Sequence, residues 1–310
     1  MRAAVVQLPR AVTLADVRAP EPRPTQVLVR LAGAGICASE LPLYEGREWF
    51  RYPREPGEPG HEGWGRVQAV GSEVTCLEVG QRVALISHRA HAEFDVAEAA
   101  DVVALPAAID DSAPFPGEPL ACAVNAFNRA RVEPGSRVAL VGCGFLGLLL
   151  IQLCAEPAGE VVAISRRACA RALALEMGAG RAVAPDDPAL ERETFDVVFE
   201  ATGYQEPLEV ASRLTRVRGR LVIVGYHQDG PRTVDMQLWN WRGLDVVNAH
   251  ERDPAMYAAG LREAVEAVRL GRLDPSALIT HRYTLDELDQ AYRISLERPN
   301  GFVKAVWCDG

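Results

Sequence analysis

Apolar residues follow two different rhythms along this chain. Up to about residue 118 they form short runs cut by glycine and proline. Val27–Leu31, Gly65–Val70 and Arg82–Ile86 read as strands, and the turn-rich stretch from Tyr52 to Gly60 carries three prolines and two glycines. This pattern predicts a β-barrel-like part with loops. From about Arg137 the rhythm changes. Arg137–Val141 is an apolar strand, Leu148–Ala155 an apolar helix and Glu160–Ser165 a second strand. Cys169–Met177 reads as a helix stopped by Gly178, and Phe195–Glu200 and Arg220–Val224 as further buried strands. Strands alternating with helices predict a parallel sheet covered on both faces. An amphipathic helix, Ala258–Leu270, ends at Gly271, and the tail, Ala277–Val306, returns to short strands around a helix at Leu285–Leu296. The expected class is α/β in two domains: residues 1–118 completed by about 272–310, and residues 119–271.

Length and charge narrow this further. At 310 residues and 48% hydrophobic composition the chain can bury two cores. A net charge of −9 argues against nucleic acid or an anionic membrane as partner, since both need basic surfaces. The opening MRAAVVQLPR lacks the apolar core of a signal peptide, and the longest apolar stretch, Phe145 to Ala155, is too short to span a bilayer. A cytoplasmic protein is the expectation. The seven cysteines are odd in number, irregularly spaced and without a CxxC pair, which is a poor basis for a disulfide framework. A metal site would have to be assembled from scattered residues.

Two stretches carry chemistry. Gly142-Cys-Gly-Phe-Leu-Gly147 follows an apolar strand and opens an apolar helix. Gly142 suits the tight turn, Gly144 the approach of a pyrophosphate and Gly147 close helix–strand packing, so a dinucleotide is the expected cofactor. At the end of the next strand stands Ser165-Arg166-Arg167, where a carboxylate would accept hydrogen bonds from the ribose hydroxyls of NAD. A hydroxyl and two guanidiniums suit a 2′-phosphate instead, so NADP is expected over NAD, with NAD possible. The second stretch places Cys37 in GICASE and His61, 24 residues later, in GHEG. A thiolate, an imidazole and a carboxylate form a three-ligand set for catalytic zinc, with a fourth position open to water or substrate.

Here the chain resembles a known family. GICASE is similar to the GICGSD segment of zinc-dependent medium-chain dehydrogenases. Glu58 to Val74, EPGHEGWGRVQAVGSEV, is similar to their PxxxGHExxGxVxxVGxxV, and Glu118-Pro119-Leu120 to the EPL segment of the sorbitol and threonine dehydrogenase branch. FDVVFEATG (Phe195 to Gly203) and GRLVIVG (Gly219 to Gly225) are similar to later strands of the family's Rossmann domain. The resemblance implies a GroES-like β-barrel catalytic domain and a Rossmann domain. It implies Cys37 and His61 as zinc ligands and Glu118 as the third, with Glu62 competing, exchanging or orienting the site from behind. It implies Ser39 as the first member of a proton relay. Phe145 and Leu146 in the turn, and Thr202 and Gly225 at the ends of later strands, join the expected dinucleotide contacts.

Two departures stand out. After the strand near Ile86 the family carries a four-cysteine structural zinc lobe, but Ser87-His-Arg-Ala-His91 here leads straight into Ala92-Glu93-Phe94. One zinc per chain is therefore expected. The relay histidine five residues beyond the ligand cysteine is Pro42, leaving His88, His91 and Tyr44 as candidates for the outer relay. In the segment from Gly225 to Arg252, His227, Trp239, Asn240, Trp241, Asn248 and His250 are candidates for cofactor or substrate contacts or for a subunit interface, with core packing or an interface the expected role of the tryptophans.

The resemblance implies hydride transfer between a small-molecule alcohol and NAD(P), with the EPL segment pointing to polyols, sugars, cyclitols or amino alcohols. It implies a homo-oligomer, dimer or tetramer. Two readings compete: a zinc-free quinone- or enoyl-type reductase, which metal content would separate, and a non-enzymatic dinucleotide-binding protein on the same fold.

Overall fold

The computed structural model describes residues 1–309. By its internal contacts the chain forms two compact units. The first comprises residues 1–121, 258–271 and 275–310; the second comprises 122–257 and 272–274. The stretch 258–271, expected within the dinucleotide-binding domain, thus belongs to the first unit. A helix boundary read from periodicity does not say which core the helix's apolar face joins.

In the first unit β1 (Arg2–Leu8) and β2 (Ala11–Asp16) form an antiparallel pair. β3 (Gln26–Gly35), β4 (Glu62–Val70), β5 (Arg82–Leu85), β6 (Phe94–Glu98) and β7 (Val102–Ala104) build the barrel-like sheet. Its order is β14-β15-β3-β4-β5-β7, with β6 also paired to β3; β14 (Ile279–Tyr283) and β15 (Lys304–Cys308) come from the tail. The expected return of the tail is therefore made by a strand, since β15 pairs antiparallel with the C-terminal end of β3. Val27, Val29 and Leu31 alternate inward along β3 and pack with Val83, Leu85 and Trp307. Between β3 and β4, α1 (Leu41–Glu45) is shaped by Pro42 in its first turn and by Gly46, which closes it in the left-handed conformation. α2 (Gly117–Ala130) follows β7.

The second unit alternates as its hydrophobic rhythm predicts: β8 (Arg137–Val141), α3 (Phe145–Ala155), β9 (Glu160–Ile164), α4 (Ala168–Glu176), β10 (Arg181–Val183), β11 (Phe195–Glu200), α5 (Gln205–Leu214), β12 (Thr215–Ile223), α6 (Met236–Arg242) and β13 (Asp245–Asn248). All six strands are parallel, in the order β10-β9-β8-β11-β12-β13. Counted within the unit this is 3-2-1-4-5-6, the doubly wound order of dinucleotide-binding domains, whose order reverses beside the first strand. β8 is that strand, and it runs directly into the Gly142–Gly147 turn. α3 is buried nearly all round, from Leu148 to Ile151 and at Leu153 and Cys154, which is why its sequence is apolar on every face. α7 (Pro254–Arg269) and, after β14, α8 (Leu288–Glu297) complete the helices. No helix among the described residues is long and apolar enough to cross a membrane.

Candidate metal and dinucleotide sites

The candidate metal site lies in the first unit, where β3 ends and β4 begins. Cys37 follows β3, and His61 and Glu62 sit at the start of β4, which pairs antiparallel with β3. The pairing sets Gly35 opposite Glu62, so residues 24 apart in sequence become neighbours. One ligand atom each from Cys37, His61 and Glu62 lie within 4.8 Å of one another. Donors placed tetrahedrally about 2.0–2.3 Å from zinc stand about 3.3–3.8 Å apart, so the group would hold the ion once its side chains close by up to about 1 Å. Glu118 stands in the first turn of α2, largely buried, and is not a member of this donor group.

The orientation of His61 supports the fit. Its Nδ1 lies 3.0 Å from the Pro59 carbonyl oxygen, which accepts its hydrogen bond, and 3.1 Å from Glu40 Oε1, an ion-pair contact outside hydrogen-bond geometry. Nδ1 therefore carries the proton and Nε2 is the ring nitrogen left for a metal. Burial works against the charged imidazole, but Cys37 and Glu40 outweigh it and hold the His61 pKa well above its ordinary value. Ser39 donates a hydrogen bond to Cys37 Sγ at 3.1 Å, which places its hydroxyl beside the sulfur.

Glu62 is fully buried and anchored from behind. Lys304 Nζ on β15 donates to Glu62 Oε1 (2.7 Å) and to the Ile36 carbonyl (3.0 Å). Nζ also lies 2.6 Å from Glu62 Oε2, yet that oxygen accepts no hydrogen bond of its own. Both Glu62 oxygens thus lie against the Lys304 ammonium, which holds the carboxylate beside the Cys37 thiol and the His61 imidazole. Burial disfavours the Lys304 ammonium, but Glu62 and Cys37 outweigh it, so its pKa is raised and it stays charged.

Glu40 was not singled out by spacing, although it occupies the acidic position of the GICGSD-like segment. Burial would raise its carboxyl, but His91 and His61 bring it down to about 2. Of the three outer-relay candidates, His88 is exposed, Tyr44 donates to Asp289 Oδ1 at 3.0 Å, and His91 is fully buried against Glu40.

The candidate dinucleotide site lies in the second unit. Gly142 has φ +107°, and a Cβ there would collide with Thr202 Cγ2; a Cβ on Gly147 would collide with the Gly142 carbonyl oxygen. The turn therefore needs glycine at both places. Gly144 caps α3 with open space beside it, and the N-terminus of α3 presents its backbone N–H groups there. Phe145 and Leu146 are the first residues of α3. Glu200, buried at the end of β11, accepts hydrogen bonds from the backbone N–H groups of Thr202 (2.7 Å) and Gly203 (2.9 Å) and fixes the next loop. Gly225 follows β12 and donates its N–H to the Glu200 carbonyl. At the end of β9, Arg166 is exposed and Ser165 and Arg167 half-buried, while Arg171 braces the turn through the Ser165 and Arg166 carbonyls.

The residues after β12 divide. His227 Nε2 lies 3.0 Å from Glu200 and its Nδ1 accepts from Arg232 at 2.8 Å. Trp239 packs on the core of the second unit, Asn248 accepts from the His250 N–H, and Trp241 is 87% exposed.

Residues 23–107 match the alcohol dehydrogenase GroES-like domain, and residues 146–266 match the zinc-binding dehydrogenase domain. Sorbitol dehydrogenase of Halalkalibacterium halodurans is 26% identical over 88% of this chain and 90% of its own length. L-threonine 3-dehydrogenase of Bacillus subtilis is 25% identical, covering 91% of each chain. A zinc-binding dehydrogenase of Sinorhizobium meliloti, solved with NADP bound, superimposes with a TM-score of 0.86 at 26% identity over 99% of both chains. The chain belongs to the zinc-type medium-chain alcohol dehydrogenase family, built from a GroES-like domain and a Rossmann domain.

Proposed function

We propose that this chain is a zinc-dependent dehydrogenase that interconverts an alcohol of the polyol, sugar, cyclitol or amino-alcohol type and its ketone or aldehyde, using NADP in preference to NAD. The observation that carries the reading is the donor group of Cys37, His61 and Glu62, gathered by the β3–β4 pairing in a chain of this family. The relatives' names supply the substrate class: sorbitol, L-threonine and D-arabitol phosphate. Zinc, when bound, supplies the Lewis acidity that makes a substrate hydroxyl acidic near neutral pH, and the nicotinamide supplies the hydride chemistry.

The chain's own residues do the rest. Cys37 and His61 hold the ion. Glu62 is the third ligand that the geometry favours, and Glu118 remains the alternative. Ser39 Oγ takes the substrate proton and passes it outward. Gly142, Gly144 and Gly147, with the Phe145 and Leu146 backbone, receive the pyrophosphate; Thr202 and Gly225 border the dinucleotide, and Ser165, Arg166 and Arg167 the ribose end. The test is metal analysis of purified protein with turnover on a panel of polyols, sugars and simple alcohols, run with NAD and NADP in parallel. About one zinc per chain and polyol turnover with NADP are the expected result; metal-independent turnover would overturn the reading. Replacing Arg166 and Arg167 by alanine is expected to raise the KM for NADP at least about tenfold, the equivalent of about 1.4 kcal/mol, with little change for NAD. Equal effects on both would count against a 2′-phosphate site.

The short connection between β5 and β6, which carries no cysteine, supports one zinc per chain. A cytoplasmic location accords with seven free cysteines among the described residues. We further propose a homo-oligomer. β13 is the end strand of its sheet, and the exposed Trp241 lies on the helix before it. Trp241→Glu is expected to lower the mass measured by sedimentation from that of a dimer or tetramer; an unchanged mass would remove Trp241 from the interface.

A further inference from the structure

Glu40 has more partners than the support of one metal-binding histidine requires. Its Oε2 lies 3.1 Å from His91 Nε2 and accepts a 2.7 Å hydrogen bond from the Tyr292 hydroxyl. On the far side, Trp307 Nε1 donates to His91 Nδ1 at 3.1 Å. Glu40, His91, Tyr292 and Trp307 are all buried.

We infer that His91 is a positioning residue of the proposed zinc site, acting through Glu40 to fix the ring of His61. The inference rests on the zinc reading above and adds to it a group that does not touch the metal.

An indole N–H can only donate, so the His91 nitrogen it faces must accept. The His91 proton then sits on Nε2 and is donated to Glu40. Tyr292 donates to the same carboxylate oxygen; burial and the nearby Glu40 hold its pKa well above the ordinary value, so it keeps its proton. Two donors on Oε2 set the carboxylate plane and hold Oε1 in ion-pair contact with His61 Nδ1, 3.1 Å away, while the Pro59 carbonyl accepts the Nδ1 hydrogen bond. The order is therefore indole, imidazole, carboxylate, imidazole, and last the nitrogen offered to the metal.

The backbone holds His91 as firmly as its side chain. Ala90 N donates to the Gly60 carbonyl (2.9 Å), His91 N to the Gly57 carbonyl (3.1 Å) and Ala4 N to the His91 carbonyl (2.8 Å). The short connection between β5 and β6 is thus stitched to the loop that bears His61. Tyr292 meets His91 edge-on at 5.8 Å and stacks on Tyr44 at 4.8 Å, which locks the phenol in place. A fully buried histidine needs polar partners for both nitrogens, and each partner here comes from a distant part of the chain. Partners beyond the ligand shell orient a metal-bound histidine and raise its basicity, and losing one typically costs about 10–100-fold in metal affinity.

The experiment is a chelator-competition titration of Zn²⁺ into metal-free protein. Wild type, Cys37→Ala, His91→Phe and His91→Gln are compared, with the melting temperature of each metal-free form. Phenylalanine fills the volume without a donor; glutamine can donate to Glu40 and accept from Trp307. The expected result is at least about tenfold weaker Zn²⁺ binding in His91→Phe and recovery to within about threefold in His91→Gln. Affinity in His91→Phe equal to wild type, or in His91→Gln as weak as in His91→Phe, overturns the inference. If His91→Phe does not fold, Tyr292→Phe decides. It removes the companion donor on Oε2, so weakened Zn²⁺ binding at an unchanged melting temperature supports the inference, and unchanged binding overturns it. Zn²⁺ binding that survives in Cys37→Ala would instead overturn the zinc reading itself, an outcome separate from the ratio between the His91 variants.

Discussion

Cys37→Ala is expected to lose its zinc and at least about a thousandfold of its turnover, while keeping its fold and its dinucleotide. A loss of that size corresponds to roughly 4 kcal/mol of transition-state stabilisation. Cys37 supplies the sulfur of the donor group, and with it gone only an imidazole and a carboxylate remain, one of which is already paired with Lys304. Two such donors leave the ion too weakly held to survive dialysis. The structural cost is small, because Cys37 is half-buried in the turn between β3 and the short helical turn Ala38–Glu40, and alanine suits that backbone. The Gly142–Gly147 turn and its neighbours belong to the second unit, so titration with NADP is expected to give wild-type affinity. Zinc content by elemental analysis, turnover and NADP titration on one preparation check all three points. Full zinc content with full turnover would refute Cys37 as a ligand.

Much of this architecture is legible in the chain because the relevant signals are local. The run Arg137–Val141, the glycine spacing at 142, 144 and 147, and the apolar stretch after it specify strand, turn and helix within about twenty residues. Cys37 and His61 are legible for a related reason: each sits in a short segment whose backbone needs are written beside it. What surrounds them is not local. Lys304 meets Glu62 across 242 residues of sequence, Tyr292 meets Glu40 across 252 and Trp307 meets His91 across 216. No periodicity announces such pairings, since they follow from β15 joining β3 and from α8 packing nearby. Glu118 shows the same limit from the other side. Its EPL segment identifies a helix start, whereas the placing of Glu62 beside Cys37 and His61 follows from the strand register that sets it opposite Gly35. Glu40 lay within reach of a sequence argument, as a carboxylate three residues beyond a proposed thiolate ligand. Its burial and its three partners did not.

Lys304→Met is expected to destabilise the metal-free first unit by about 3–5 kcal/mol, because it strips the countercharge from a buried carboxylate. Methionine fills most of the volume of the lysine stem, so little cavity cost is added. What remains is Glu62, with no exposed surface, facing the Ile36 carbonyl and the Cys37 sulfur instead of an ammonium. The metal-free melting temperature should fall by on the order of 10 °C. The double variant Lys304→Met with Glu62→Gln should recover a good part of the loss, since it removes the unpaired charge along with its partner. Zinc sharpens the test. In the single variant the ion becomes the nearest positive charge to Glu62, so adding Zn²⁺ should raise the melting temperature more than it does in wild type, in line with ligand binding to the folded state alone. A metal-free loss below about 1 kcal/mol would mean that Glu62 is solvated or protonated once Lys304 is gone. An equal zinc-induced rise in both proteins would place Glu62 outside the ligand set and return Glu118 to third place.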